Sequence, residues 1–267
     1  MKKAALILIA SVTLAVACNN NDDKKKLSTN PAKTDREKLL KDSIAKFPDS
    51  VIIQEKLIQY YRDSGYYDKA LAAVNDFVKA DSLNTRLWDI KAILHFENAD
   101  TINAIRSFEK AASIIPAPDY LISLGSLYAQ SKNKKALAVA DMLLKDKNAK
   151  AEKEALFIKG LYYNYTGDKK QAISFFDKCL SMEYSFMFAY REKAIALYDL
   201  GKYEDALKVL TKAVTLQNNF DEGYYWRGRC FEKLGELDEA IDDYRTALVY
   251  SPDYTEAREA LKRLGGE

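Results

Sequence analysis

The chain has 267 residues, 48% of them hydrophobic and 30% charged, a balance that suits a folded protein and excludes a disordered one. Ten Gly and five Pro are few, as mostly helical structure requires. A formal net charge of +2 gives no strong pull toward nucleic acid.

The first element is not part of a fold. Lys2 and Lys3 precede an apolar run from Ala4 to Ala17, too short to span a bilayer comfortably and suited to a secretory signal peptide over residues 1–17. Ala15-Val16-Ala17 supplies small residues at a cleavage site, with Cys18 directly after it. This layout resembles the lipobox of bacterial lipoproteins, which implies lipidation of Cys18; it departs from that pattern in having Ala15 where leucine is usual and Leu14 one position early. The plainer alternative is ordinary cleavage with a chance cysteine next. Loss of Lys2 and Lys3 from the 41 basic residues would balance the 39 acidic ones.

Residues 18–34 are polar and carry Pro31, and read as a tether between a membrane and the fold. Acyl chains with a tether attach a protein to a surface without spanning it. Asn19 beside the cysteine is compatible with outer-membrane sorting in lipoproteins of this kind, so the expected location is the outer membrane of a Gram-negative bacterium, on either face.

Leu39, Leu40, Ile44 and Phe47 then form an apolar face, predicting a capping helix over 35–48. From there an alanine recurs at Ala70, Ala104, Ala136, Ala172, Ala206 and Ala240, at steps of 34, 32, 36, 34 and 34 residues. Such a period marks one structural unit copied along the chain. In residues 221–254, apolar or small residues at Tyr224, Gly228 and Phe231, then Leu237, Ala240, Tyr244 and Ala247, fall at helical steps on either side of a turn at Gly235, and Pro252 closes the second helix. Each unit is thus a helix, a tight turn and an antiparallel helix, and neighbours must stack to bury their stripes. The units are about 51–84, 85–117, 118–152, 153–186, 187–220 and 221–254, and Ala257, Leu261 and Leu264 predict a terminal capping helix over 255–267.

In register, the first helices carry a large residue at Trp88, Tyr120 or Leu121, Leu156, Tyr190 and Tyr224, a small one at Ala92, Gly125, Gly160, Ala194 and Gly228, and mostly an aromatic at Tyr61, His95, Tyr128, Tyr163, Leu197 and Phe231. The second helices carry the six alanines, then Phe108, Phe176, Leu210 and Tyr244, then Ala111, Cys179, Ala213 and Ala247. This pattern resembles the tetratricopeptide repeat over about residues 51–254. The resemblance implies an all-α fold, a right-handed α-solenoid of six helix-turn-helix units with terminal capping helices. Departures fall at Ile58, in a small slot, at the short turn from Ser131 to Lys135 and at the long stretch from Lys145 to Lys150, where a local irregularity of the superhelix is expected.

Catalytic and metal chemistry finds little foothold. His95 occupies a core slot, and Cys179 and Cys230 occupy small slots two repeats apart, where a disulfide would break the limit of about 7 Å between Cα atoms. Both read as free buried thiols. No phosphate loop, nucleophile elbow or metal-ligand spacing is present, so neither enzymatic activity nor a cofactor or metal is expected. The acids Asp221-Glu222, Glu236, Asp238-Glu239 and Asp242-Asp243 are expected mostly to face solvent.

The resemblance implies that the first helices line a concave peptide-binding face. Periodicity places Asp89, Ile93, Phe96 and Glu97 on it in the second repeat, and Ile122, Ser126, Ala129 and Gln130 in the third. The fourth gives Phe157, Leu161, Asn164 and Tyr165; the fifth Phe188, Arg191, Ile195, Tyr198 and Asp199; the sixth Tyr225, Trp226, Arg229, Glu232 and Lys233. The candidate groove residues are Phe96, Phe157, Leu161, Asn164, Tyr165, Arg191, Ile195, Tyr198, Tyr225, Trp226 and Arg229, since aromatic and arginine side chains favour interface hot spots; packing between neighbouring first helices is the alternative for this set. Some family members clamp a terminal carboxylate with lysine and asparagine; the corresponding positions here, Arg191, Ile195, Phe157 and Leu161, do not reproduce that clamp.

The expected function is a membrane-anchored adaptor or assembly scaffold at the cell envelope. Its partner would be a protein or peptide, with the membrane reached through the lipid anchor and neither nucleic acid nor a small-molecule substrate involved. Two alternatives stand beside it: a structural subunit using the convex face or ends, and a carbohydrate-binding or carbohydrate-processing protein.

Overall fold

The structure, a computed structural model, describes residues 31–146 and 150–266. Cys18 and most of the tether lie outside the described residues. Fourteen helices and no strand occur among those described. They are α1 (Pro31–Lys46), α2 (Val51–Asp63), α3 (Tyr67–Ala80), α4 (Thr85–Glu97), α5 (Thr101–Ile114), α6 (Pro118–Gln130) and α7 (Lys135–Lys145). The second half adds α8 (Glu152–Thr166), α9 (Lys169–Met182), α10 (Met187–Asp199), α11 (Tyr203–Leu216), α12 (Asp221–Leu234), α13 (Leu237–Tyr250) and α14 (Thr255–Arg263). The fold is an all-α solenoid of helix-turn-helix units, in two compact parts: one ends at Leu124, the other begins at Gly125.

In the first part each helix packs on the next from α1 through α5. The core gathers Leu57, Ile58, Tyr61, Val74, Leu87 and Leu94, with Leu40 and Ile44 of α1 laid against it. Helix α1 starts at Pro31, inside the stretch expected to be tether, because proline suits the first turn, where its missing N–H would be unbonded anyway. It stops at Lys46, since Pro48 drives Phe47 away from helical backbone.

In the second part α7 through α14 pack in sequence, and the first helix α10 also touches the first helices α8 and α12 on either side. All six ladder alanines are fully buried. The small slots let helices of one repeat close up: a Cβ built on Gly160 would lie 2.5 Å from the ring of Phe176, and one on Gly228 3.0 Å from that of Tyr244. Second helices α5 and α9 begin with Asp100 and Asp168, whose carboxylates accept from the N–H of Asn103 and Gln171. First helices α8 and α12 end on glycines in the left-handed region, Gly167 at φ 101° and Gly235 at φ 85°. The same conformation falls on non-glycine residues at the short turn, Lys132 at φ 58°, and at Ala99, φ 60°.

Candidate functional site

The first helices α8, α10 and α12 of the second part, which the resemblance places on the inner face, share a polar network. Arg191 of α10 is buried; its guanidinium donates to both oxygens of Glu222 on α12 (2.5 and 2.6 Å) and to Glu192 (2.9 and 3.2 Å). The other Glu192 oxygen accepts from Asn164 of α8 at 3.2 Å. The Asn164 carbonyl accepts from Lys169, whose ammonium also pairs with Asp199 at 2.6 Å. Two carboxylates around one guanidinium hold Arg191 firmly charged despite its burial. Beside this chain, burial and the Glu192 carboxylate push the Tyr165 phenol up to about 12, against the pull of Arg191.

Next along the face, the chemistry turns aromatic. The Arg229 guanidinium lies 4.8 Å from the ring centres of both Tyr198 and Trp226 and donates to the Tyr198 hydroxyl at 3.1 Å. Tyr198 meets Trp226 edge to face at 5.7 Å, and Trp226 meets Tyr225 at the same distance. Tyr225 leans on Tyr254 at 4.9 Å and on Tyr244 at 5.8 Å. These are the separations at which aromatic pairs and cation–π contacts attract. Tyr198, Tyr225, Trp226 and Arg229 remain partly exposed. Among the described residues no carboxylate forms an ion pair with Arg229, whereas Arg191, one repeat earlier, has two.

The structure divides the predicted groove set. Tyr165, Ile195, Tyr198, Tyr225, Trp226 and Arg229 stay partly exposed on the inner face. Phe157 does not: its ring packs edge-on against Phe186 at 5.1 Å and near Phe176 at 5.7 Å, so it belongs to the core between α8 and α9. Leu161 is likewise buried, and Asn164 and Arg191 are consumed by the polar network, so none of the four offers a surface to a partner. Phe96 is partly buried in the other part of the chain. Two of the acids expected at solvent are also tied up: Asp243 is buried and accepts from Nε and Nη2 of Arg227, each at 2.7 Å, and Glu222 is held by Arg191.

Sequence reasoning missed Glu192, Glu222 and Lys169 as partners. A signal was available. Glu55–Arg86, Arg191–Glu222, Tyr198–Arg229 and Glu232–Arg263 all join residues 31 apart. That offset is one repeat less one helical turn, the separation at which side chains of successive first helices meet.

Cys179 and Cys230 are free and fully buried, and burial pushes both thiols up to about 12. His95 is largely buried with Nδ1 3.3 Å from Asp100, and burial lowers its pKa. Among the described residues no group of His, Cys, Asp and Glu is placed to hold a metal ion.

A stacked helical array with such an inner face defines a scaffold for protein–protein interaction. Tetratricopeptide-repeat family models match residues 153–186 and 191–254. A crystal structure of a tetratricopeptide repeat protein from Parabacteroides merdae superposes with a TM-score of 0.74 at 20% identity, over 88% of this chain and 93% of that one. The crystal structure of PilW, a type IV pilus biogenesis factor, gives a TM-score of 0.63 at 20% identity, over 81% of this chain and 98% of that one. The human DnaJ homolog subfamily C member 3 is 33% identical over 98 residues, 37% of this chain and 19% of the relative. The chain thus spans about a fifth of the length of the first curated relatives it matches. Residues 153–186 and 191–254 are thus tetratricopeptide repeats, and the fold of the chain is like that of tetratricopeptide-repeat proteins.

Proposed function

We propose that this protein is a lipid-anchored adaptor of the bacterial cell envelope, which holds a partner protein segment on the inner face of α10 and α12. The observation that carries the binding site is the partly exposed cluster of Tyr198, Tyr225, Trp226 and Arg229. It joins aromatic area to a guanidinium with no carboxylate of its own, the composition of an interface hot spot. The anchor rests on the sequence alone: the basic, apolar and small-residue run ending at Cys18.

Site and anchor are tested separately. A photocrosslinking residue at position 226, on the inner face, should capture one partner in native membranes, and Arg229→Ala should abolish the crosslink while leaving thermal unfolding nearly unchanged. Crosslinks equally strong from exposed Val249 on α13 would move the binding surface elsewhere. Cys18→Ala should release the protein from membranes; continued retention would remove the lipid anchor.

A further inference from the structure

A second candidate site lies in the first part of the chain. A cavity of about 480 Å³ is lined by residues of α3, α4 and α5. Asn75 lines it from α3, Trp88 and Lys91 from α4, and Asn103, Arg106 and Lys110 from α5. Three cations therefore converge on one space, and no acidic residue lines it. Among the described residues none of the three has an ion-pair partner, although lysines and arginines elsewhere in the chain are repeatedly paired.

Lys91 makes the arrangement costly. Its ammonium sits 5.0 Å from the Trp88 ring, and burial together with the charge of Lys79 pushes its pKa down. The nearby acid does not offset this. Asp100 is engaged by the backbone N–H and side-chain amide of Asn103 (3.1 and 2.7 Å) and faces His95. A cluster of like charges with no counter-charge of its own is relieved by a bound anion.

We infer that this cavity binds a phosphate group. Arg106 and Lys110 stand one turn apart on α5, and both line the cavity together with Lys91 of α4. An arginine fork takes phosphate oxygens two at a time and lysines add point charges. Three cations match a dianion or trianion better than a single carboxylate. Asn75 lines the same space as a neutral amide, while the Asn103 amide, which donates to Asp100 and accepts from Arg106 at 3.2 Å, holds the Arg106 guanidinium in place. The cavity is larger than one phosphate, so the group can be carried by a soluble phosphorylated molecule or by a lipid headgroup. This site shares no residue with the aromatic face and stands whether or not that face binds a partner.

The test uses the full chain. Calorimetric titration with inorganic pyrophosphate should show saturable one-to-one binding. Arg106→Gln with Lys110→Gln should weaken it at least about tenfold, as should Lys91→Gln, while Lys208→Gln on α11 should not. Arg106 and Lys110 are exposed, so their double variant keeps its fold, which circular dichroism verifies. In parallel, flotation compares vesicles of phosphatidylcholine alone with vesicles containing phosphatidic acid. A lipid source appears as extra flotation on phosphatidic acid that the double variant loses; a soluble source appears as pyrophosphate binding without that extra flotation. Absence of both, or binding indifferent to all three cations, overturns the site.

Discussion

Asp89 is a carboxylate on α4 in a place that disfavours its charge. It is mostly buried, and burial pushes its pKa up to about 6; Arg86, at 3.0 Å, pulls it down, while Asp119 and Glu55 push it further up. The folded chain therefore holds this proton more tightly than the unfolded chain. Its contribution to stability is full below about pH 4 and is lost as pH rises through about 6. Asp89→Asn removes the charge and keeps the shape. It should stabilise the protein by up to about 3 kcal/mol at pH 7.5 and by nothing at pH 4, in urea unfolding at both values. None of this was legible in the sequence, where Asp89 was one groove position among several. The pKa depends on burial and on two other acids brought close by neighbouring helices.

Helix pairs were more legible. The steps of three and four residues, the turn glycines and the alanine ladder fix which helix faces which, because one spacing serves two helices and every neighbour. The Gly160–Phe176 contact follows from that register: a small slot on α8 opposite a large one on α9. Gly160→Ala puts a methyl 2.5 Å from a ring already braced by Phe157. It should cost about 1–3 kcal/mol despite alanine's better helix propensity, read as a lower denaturation midpoint. Gly228→Ala, with its nearest contact at 3.0 Å, should cost less. The inner face was harder to read, because periodicity says which side of a first helix points inward but not how closely the next first helix approaches. Phe157, Leu161 and Arg191 are expected on that side, yet all three are buried, Phe157 against Phe176 and Phe186 and Arg191 between Glu192 and Glu222.

At the scale of the whole molecule, stability is a sum over neighbours, so a terminal helix matters to the repeat beside it. Ala260 and Leu261 of α14 pack with Tyr244 and Ile241, and Arg263 grips Glu232 through two bonds of 2.6 and 2.9 Å. Ending the chain after Tyr254 should expose that surface and destabilise the last repeat by at least about 2–3 kcal/mol. Limited proteolysis should then cut within α12 and α13 first, while α8 to α11 stay protected. The sequence announced this helix through its apolar face, but the Arg263–Glu232 grip required knowing the 31-residue offset.

The chain of contacts from Glu222 through Arg191, Glu192 and Asn164 to Lys169 and Asp199 has a mechanical meaning. Apolar side chains between α8, α10 and α12 could slide past one another at little cost. Ionic links of fixed length act instead as struts: they hold one spacing, and once stretched beyond hydrogen-bond reach they let go. The inner face is accordingly stiff under small loads and yields abruptly under large ones. On the proposed function, a partner docking there would meet a surface already set to its final shape, so little motional freedom would remain to be lost on contact.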